Sequence, residues 1–197
     1  METIEIKNKL ATLDEHGSRL NVYEFLRNVW SERKDAAIAF LVVDEMVELL
    51  LCIESTAPDV QEDEDELYRG FFEEAAEFGY KNCLSDKLFL WKMAYYCYGA
   101  ATFYYIYYTP FCKNCSADEA YDRLMAIANS LYPESMMFKL IPSVSSANWT
   151  WIDRLTTSEC RRLYDELQEL HLQNNDSDSN IKADFMLEKL EDKLKKN

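Results

Sequence analysis

The stretch LFLWKMAYYCYGAATFYYIYYTPFC, residues 88–112, decides how this chain folds. Its aromatic residues recur on two faces of a helix, which is typical of a helix packed between neighbours. Small residues at 99–101 would let another helix approach closely. Lys92 and the tyrosine hydroxyls argue against a membrane span, because polar groups would be stranded in hydrocarbon. We therefore predict a central buried helix that begins at a cap formed by Ser85-Asp86 and ends before Pro110.

A strongly acidic segment precedes this aromatic helix. Residues 59–78 contain nine acids and one arginine, a local formal charge of −8. Apolar residues at helical spacing predict a helix over 62–78, with Leu67 facing inward and Gly79 as the C-cap. Acids in its first turn also complement the helix dipole. The segment is thus a solvated helix beside the core, an interface, or both.

The rest of the chain also predicts helices. Four Gly and four Pro leave little room for the turns that a sheet-rich fold needs. The run AIAFLVV at 37–43 has the composition of a strand, but the following sequence continues at helical period without a turn signal. We predict an all-α fold of about eight helices, either an irregular bundle or a short array of helical hairpins. The long helices are expected near 3–15, 18–30, 35–55, 62–78, 86–109, 116–132, 156–171 and 181–195.

The chain is predicted to form one all-α domain over residues 1–173, since 197 residues with 48% hydrophobic content suit a single core. The next segment, 174–180, has the sequence NNDSDSN, the composition of a flexible acidic linker. Residues 181–197 carry apolar side chains on one stripe and predict a C-terminal amphipathic helix. That helix either docks on the domain or offers itself to a partner.

The formal charge of −15 limits the classes of partner. Such a field repels phosphate backbones and anionic lipid surfaces, so we predict no direct nucleic-acid binding and no membrane binding. A basic protein surface would be attracted and steered in quickly. The start of the chain lacks the basic and apolar regions of a signal peptide, and reduced cysteines suit the cytoplasm, where we expect the protein. The sequence leaves the oligomeric state open.

Motifs for catalysis and metal binding are sparse. No phosphate-binding loop, nucleophile elbow or zinc-protease motif occurs, so we predict no enzymatic activity and no cofactor. Cys112 and Cys115 form a CxxC pair, a spacing that suits zinc or redox chemistry. A structural zinc site needs two further ligands, and no second CxxC or histidine pair follows. We interpret the two residues as ordinary cysteines, with zinc binding as the alternative.

Parts of the chain resemble known helical repeats. The segments 44–58 and 118–133 can be aligned with one gap, and each ends in a proline as in the second helix of a tetratricopeptide repeat. The sequence EEAAEFGY at 73–80 is similar to the related Sel1-like motif. The resemblance covers about a third of the chain. It implies an array of helical hairpins whose concave face binds a peptide or a protein.

These patterns together predict a protein-binding module. Tyrosine concentrates binding energy at interfaces, and carboxylates around it speed encounter with a basic surface. Our main hypothesis is an acidic inhibitor or immunity-type protein that neutralises a basic protein partner such as a nuclease toxin. The alternatives are a peptide-binding chaperone or scaffold of helical-repeat type, and a zinc-binding or small-molecule-binding helical protein. The predicted partner-binding residues are Glu62, Asp63, Glu64, Asp65, Glu66, Glu73, Glu74, Glu77, Tyr95, Tyr98 and Tyr105.

Overall fold

The computed structural model describes the backbone of residues 2–15, 19–54, 61–103, 115–144, 150–174 and 183–196. Side chains are described for 2–13, 19–50, 64–98, 115–142, 150–169 and 186–196. Within these ranges the chain is helical and has no strand, which confirms the all-α prediction. The helices are α1 Thr3–Glu15, α2 Arg19–Glu32, α3 Ala36–Glu54, α4 Gln61–Asn82, α5 Lys87–Phe103, α6 Ala117–Leu131, α7 Met136–Lys139, α8 Ile141–Val144, α9 Trp151–Arg154, α10 Thr157–Asn174 and α11 Ala183–Lys196.

Eight of the described helices have 13 or more residues, and α7, α8 and α9 are single turns of four residues. The three short helices explain why the described count exceeds the predicted eight. Residues 175–180 of the predicted linker, and residues 104–112 of the aromatic stretch, lie outside the described ranges.

Helices α2 and α4 lie side by side and run in the same direction. The contacts between them are Arg19–Glu64, Tyr23–Tyr68, Arg27–Glu74 and Trp30–Phe78. Each joins a residue of α2 to one that comes 45 to 48 positions later, and this nearly constant separation shows that the two helices are parallel. The intervening helix α3 packs more extensively on α4 than on any other described element. Its segment 38–43 is buried at every position, so AIAFLVV is a core helix as predicted.

Helix α5 packs mainly on α6 and also on α3 and α8. Positions 89–94 are all buried, which confirms a central helix for the described part of the aromatic stretch. The cap is the predicted one, because the Phe89 amide donates to Asp86 Oδ1 at 2.9 Å. Two further N-termini carry capping boxes, formed by Ser116 with Glu119 and by Thr156 with Glu159.

Two expectations for α4 were wrong. The helix continues through Gly79 to Asn82, so this glycine is not a C-cap. A Cβ atom at Gly79 would lie 1.9 Å from Cζ of Phe89, which shows that the glycine lets the ring of α5 pack against α4. Leu67 does not face inward but is 42% exposed, because the buried stripe of α4 runs through Tyr68, Phe71 and Phe72 instead.

The C-terminal helix α11 docks on α10 and α9. Met186, Leu187 and Leu190 are buried in that contact. Lys193 Nζ lies at the end of α9 and donates to the carbonyl oxygens of Ile152, Asp153 and Leu155 at 2.7, 2.8 and 2.6 Å. A cation is favourable there, because the last carbonyls of a helix lack partners within it.

Glu166 of α10 fixes the start of α7. Its carboxylate accepts hydrogen bonds from the amides of Met136 and Met137 at 2.8 and 3.2 Å, and from the Ser135 hydroxyl. Lys87 of α5 pairs with the same carboxylate at 2.7 Å. The carboxylate, only 9% exposed, therefore holds three helices in one arrangement.

Candidate functional site

The line of contact between α2 and α4, from Arg19–Glu64 to Trp30–Phe78, holds several of the predicted site residues; we call it the α2–α4 seam. Arg19 Nε lies 3.3 Å from Glu64 Oε2 near one end of the seam. Farther along, Arg27 forms an ion pair with Glu74. Cations of α2 thus hold acids of α4 in fixed positions at the surface.

Glu74 is the most highly connected acid of the seam. Trp30 Nε1 and Lys34 Nζ donate to Glu74 Oε1 at 2.7 and 3.2 Å, while Arg27 donates to Oε2. Burial disfavours the charged carboxylate, but the hydrogen bonds from these three donors outweigh burial and lower the pKa of Glu74 from 4.5 to about 2. Glu74 therefore acts as a fixed anion that ties α4 to α2.

Aromatic rings fill the seam beneath the ion pairs. The ring centroid of Tyr23 lies 5.6 Å from that of Tyr68 and 5.7 Å from that of Phe71. Arg27 Cζ lies 4.3 Å from the centroid of Phe71, a cation–π distance. Burial and the neighbouring charge of Glu64 raise the pKa of the Tyr68 hydroxyl to about 12. The seam is thus packed within as well as charged at its surface.

The remaining predicted acids lie along α4. Asp65 pairs with Arg69 at 2.9 Å and Glu77 with Lys81 at 3.9 Å, both one helical turn apart. Glu66 is exposed and Glu73 is half-buried. The side chains of Glu62 and Asp63 lie outside the described ranges.

The predicted tyrosines of α5 contact other neighbours. Tyr95 is half-buried and stacks on Trp91 with 5.2 Å between ring centroids, and burial raises its pKa. Tyr98 is 40% exposed and lies 5.2 Å from Tyr121 of α6. Tyr105 lies outside the described residues. The observed contacts therefore place Glu64 and Glu74 against α2, whereas Asp65 and Glu77 pair within α4. Tyr95 and Tyr98 contact residues of α5 and α6, and the common role of these acids and tyrosines in binding stays a prediction.

Sequence reasoning missed the exposed leucines at the α2–α4 seam. Leu20 and Leu67 are each 42% exposed. Arg27 and Glu74, which form an ion pair across the seam, each come seven residues after one of these leucines. Seven residues are about two helical turns, so the parallel register places Leu20 and Leu67 opposite each other on the same side of the seam. Only the pairing of the two helices could reveal this, because the residues are 47 positions apart.

The core contains a buried ionic cluster that sequence reasoning treated only as evidence against membrane spans. Lys92 of α5 pairs with Asp44 of α3, and the Tyr96 hydroxyl donates to the same Asp44 oxygen at 3.0 Å. Lys92 Nζ also lies 5.4 Å from the ring centroid of Phe40. Asp44 and Lys92 are opposite charges within two apolar segments of the sequence. Because buried charges are usually paired, the sequence could have predicted that these two residues meet.

The described residues show neither a cluster of metal ligands nor a helix that could span a membrane. They contain no group of three or more histidine, cysteine, aspartate or glutamate side chains placed to hold a metal ion. Cys115 is half-buried, and Cys112 lies outside the described residues. Among the described helices, none combines the length and apolar character needed to cross a membrane.

Comparisons with family models, with curated proteins and with solved structures gave no match to this chain. The similarity to tetratricopeptide and Sel1-like repeats therefore stays a prediction. The surface chemistry of the described residues is consequently the basis for inferring a function.

Proposed function

We propose that this protein is a non-enzymatic binding module for a basic protein, and that it acts as an inhibitor or immunity-type protein for a partner such as a nuclease toxin. The observation that carries the proposal is the exposed acidic surface of α4 beside Leu20 and Leu67. An apolar centre with a charged surround is the usual composition of a protein interface. The net charge of −15 favours a basic partner.

Rigidity of this surface supports the proposal. Glu64 and Glu74 keep fixed positions through Arg19, Arg27, Trp30 and Lys34. Side chains that are already ordered lose less entropy when a partner binds. The acids of α4 would therefore steer a basic surface without the cost of first being ordered. Among the described residues, Cys83 and Cys160 are buried free thiols, which supports our proposal that the protein works in the reducing cytoplasm.

The proposal is tested by moving charge without breaking the seam. We suggest Glu66→Lys with Glu73→Lys on α4, and the matched control Glu188→Lys with Asp192→Lys on α11, which changes net charge equally. Partners captured from the cells of origin are identified with each protein, and association rates are measured in rising salt. We expect a basic partner whose association slows about tenfold for the α4 variant and with salt. Equal capture and equal rates for all three proteins would contradict the proposal.

A scaffold that binds a peptide is the second candidate. Tyr98 and Tyr121, with ring centroids 5.2 Å apart, give α5 and α6 an aromatic surface that is partly exposed. Tyrosine pairs of this kind suit an extended peptide. Replacement of Tyr98 by Ser distinguishes the two functions: it abolishes capture of a peptide held by α5 and α6, but leaves capture of a partner held by α4 unchanged.

A further inference from the structure

We infer that Leu20, Leu67 and Gly70 form the centre of a docking surface for one basic amphipathic helix. This inference rests on the proposed function and names the element of the partner that binds. It depends on three observations: two leucines that face each other across the α2–α4 seam, a glycine that the fold does not require, and the charge around them.

The leucines form the apolar part of the surface. Single exposed leucines are common and need no explanation. These two differ because the parallel register of α2 and α4 brings them together, two turns before the ion pair of Arg27 with Glu74. Tyr23, half-buried between the helices, contacts Tyr68, the residue after Leu67. Each helix thus contributes one exposed leucine at the same level of the seam.

Gly70 follows Leu67 by three residues and therefore lies beside it on the surface of α4. It is exposed in the interior of a helix, where glycine costs about 1 kcal/mol relative to alanine. No atom lies within 4 Å of the Cβ that another residue would carry there, so packing within the protein does not demand glycine. A residue that lowers the stability of the fold, and that packing within the protein does not require, is typical of a functional site. A glycine here gives the backbone of a partner room to approach.

Charge determines which partner fits. Acids outnumber cations around the leucines: Glu24, Glu64, Asp65 and Glu66 lie within one turn of them, against Arg19 and Arg69. Arg19 pairs with Glu64 and Arg69 with Asp65. A second copy of this chain would bring a charge of −15 against the same surface and be repelled, and nucleic acid would be repelled in the same way. The groove between two parallel helices runs along their axes and suits a third helix with apolar anchors one turn apart. A helix with leucines on one face and lysines around them meets both requirements.

The test uses a synthetic peptide of about 18 residues, five helical turns, with leucines on one face and lysines elsewhere. A scrambled peptide of identical composition is its control. Binding of both to the full-length protein is measured by fluorescence anisotropy between about 50 and 300 mM salt. We expect the amphipathic peptide to bind at least about tenfold more tightly than the scrambled one, because only the former presents an apolar face.

Three variants locate the binding site. Leu20→Ser with Leu67→Ser removes the apolar area, and Gly70→Gln fills the space beside it. We expect each to weaken peptide binding at least about tenfold, although Gly70→Gln makes the protein more stable. This opposite effect on stability and binding separates a binding role from a structural one. The control is Leu131→Ser, at a leucine of α6 that is 48% exposed, and it should bind like the unchanged protein.

The outcomes distinguish this inference from the proposed function. If both seam variants bind normally while Glu66→Lys with Glu73→Lys weakens binding, the docking surface is wrong and the proposed function stands. Equal binding of the scrambled and amphipathic peptides would also show that the docking surface is wrong while the proposed function stands. If neither peptide binds the unchanged protein at low salt, the docking surface for a helix is wrong, and the proposed function is decided by the capture experiment. A dimer in sedimentation that Leu20→Ser with Leu67→Ser dissociates would make a second copy the occupant and overturn the inference.

Discussion

Lys92 of α5 and Asp44 of α3 form an ion pair inside the core, where the residues are only 2% and 4% exposed. The Tyr96 hydroxyl donates to the same carboxylate, so two helices are joined by one polar cluster. Moving charges out of water is costly, and the attraction between them offsets that cost only while both are present. We therefore expect the cluster to contribute more to the register of α3 and α5 than to net stability.

Replacement of Lys92 by Met should destabilise the protein by about 3 to 5 kcal/mol, because it leaves Asp44 buried without its cation. The free energy of unfolding is measured with urea. The double variant Asp44→Leu with Lys92→Met should lose less stability than Lys92→Met alone, since no buried charge is left. A double variant that loses as much stability as the sum of the losses of Lys92→Met and Asp44→Leu would contradict this account.

Two glycines of α4 should respond oppositely to alanine. Gly79→Ala should lower the free energy of unfolding by about 1 to 3 kcal/mol, because the new Cβ collides with the buried ring of Phe89. Gly70→Ala should raise it by about 0.5 to 1 kcal/mol, because the site is open and alanine favours the helix. Thermal unfolding of both variants provides the comparison. Similar shifts of the same sign would show that Phe89 does not restrict Gly79.

The Glu74 network should make stability depend on pH in acid. In the folded protein the pKa of Glu74 is about 2, below its ordinary 4.5. The stabilisation by the charged carboxylate is therefore complete above pH 4.5 and is lost as pH falls toward 2. Because the side chain is 40% exposed, we expect Glu74→Gln to cost only about 0.5 to 1 kcal/mol at pH 7. The difference from the unchanged protein should shrink in urea titrations as pH falls from 4.5 toward about 2. The neighbouring variant Glu73→Gln is the control, and an equal effect there would remove Glu74 as the cause.

Lys193 should hold the C-terminal helix in place. Lys193→Met removes the donor to three carbonyl oxygens at the end of α9, and hydrogen bonds from charged groups contribute about 1.5 to 3 kcal/mol. We expect amide hydrogen exchange in α11 to become at least about tenfold faster, while exchange in α3 stays slow. Lys196→Met, at an exposed lysine of the same helix, should leave exchange unchanged. Unchanged exchange in Lys193→Met would show that apolar packing alone holds α11.

Much of the fold was predictable because the signals are local. The caps at Asp86, Ser116 and Thr156 each depend on hydrogen bonds within one turn, so residue type near a helix start is enough to indicate where that helix begins. The errors at Leu67 and Gly79 have a common origin. Which face of α4 is buried, and which ring meets Gly79, depend on helices far away in sequence, and helical period alone does not contain that information.

The candidate site was less predictable than the fold. The acids of α4 were evident from composition, but their tethering by Arg27 and Trp30 depends on contacts across 47 and 44 residues. The high tyrosine content of α5 predicted a partner-binding surface, whereas most described aromatic rings of that helix are buried or half-buried. Aromatic content measures how much area a residue can bury, not whether a neighbour in the same chain or another molecule buries it.

The sequence by itself determined that this chain is helical, where most helices begin, and that its charge is strongly negative. These properties follow from residue type and short-range spacing. Only the tertiary structure decided that α2 and α4 run in parallel, that Lys92 meets Asp44, and that Leu20 and Leu67 are both exposed at the same level of the seam. The physical reason is that helix pairing depends on the fit of whole faces, a property of many distant residues at once.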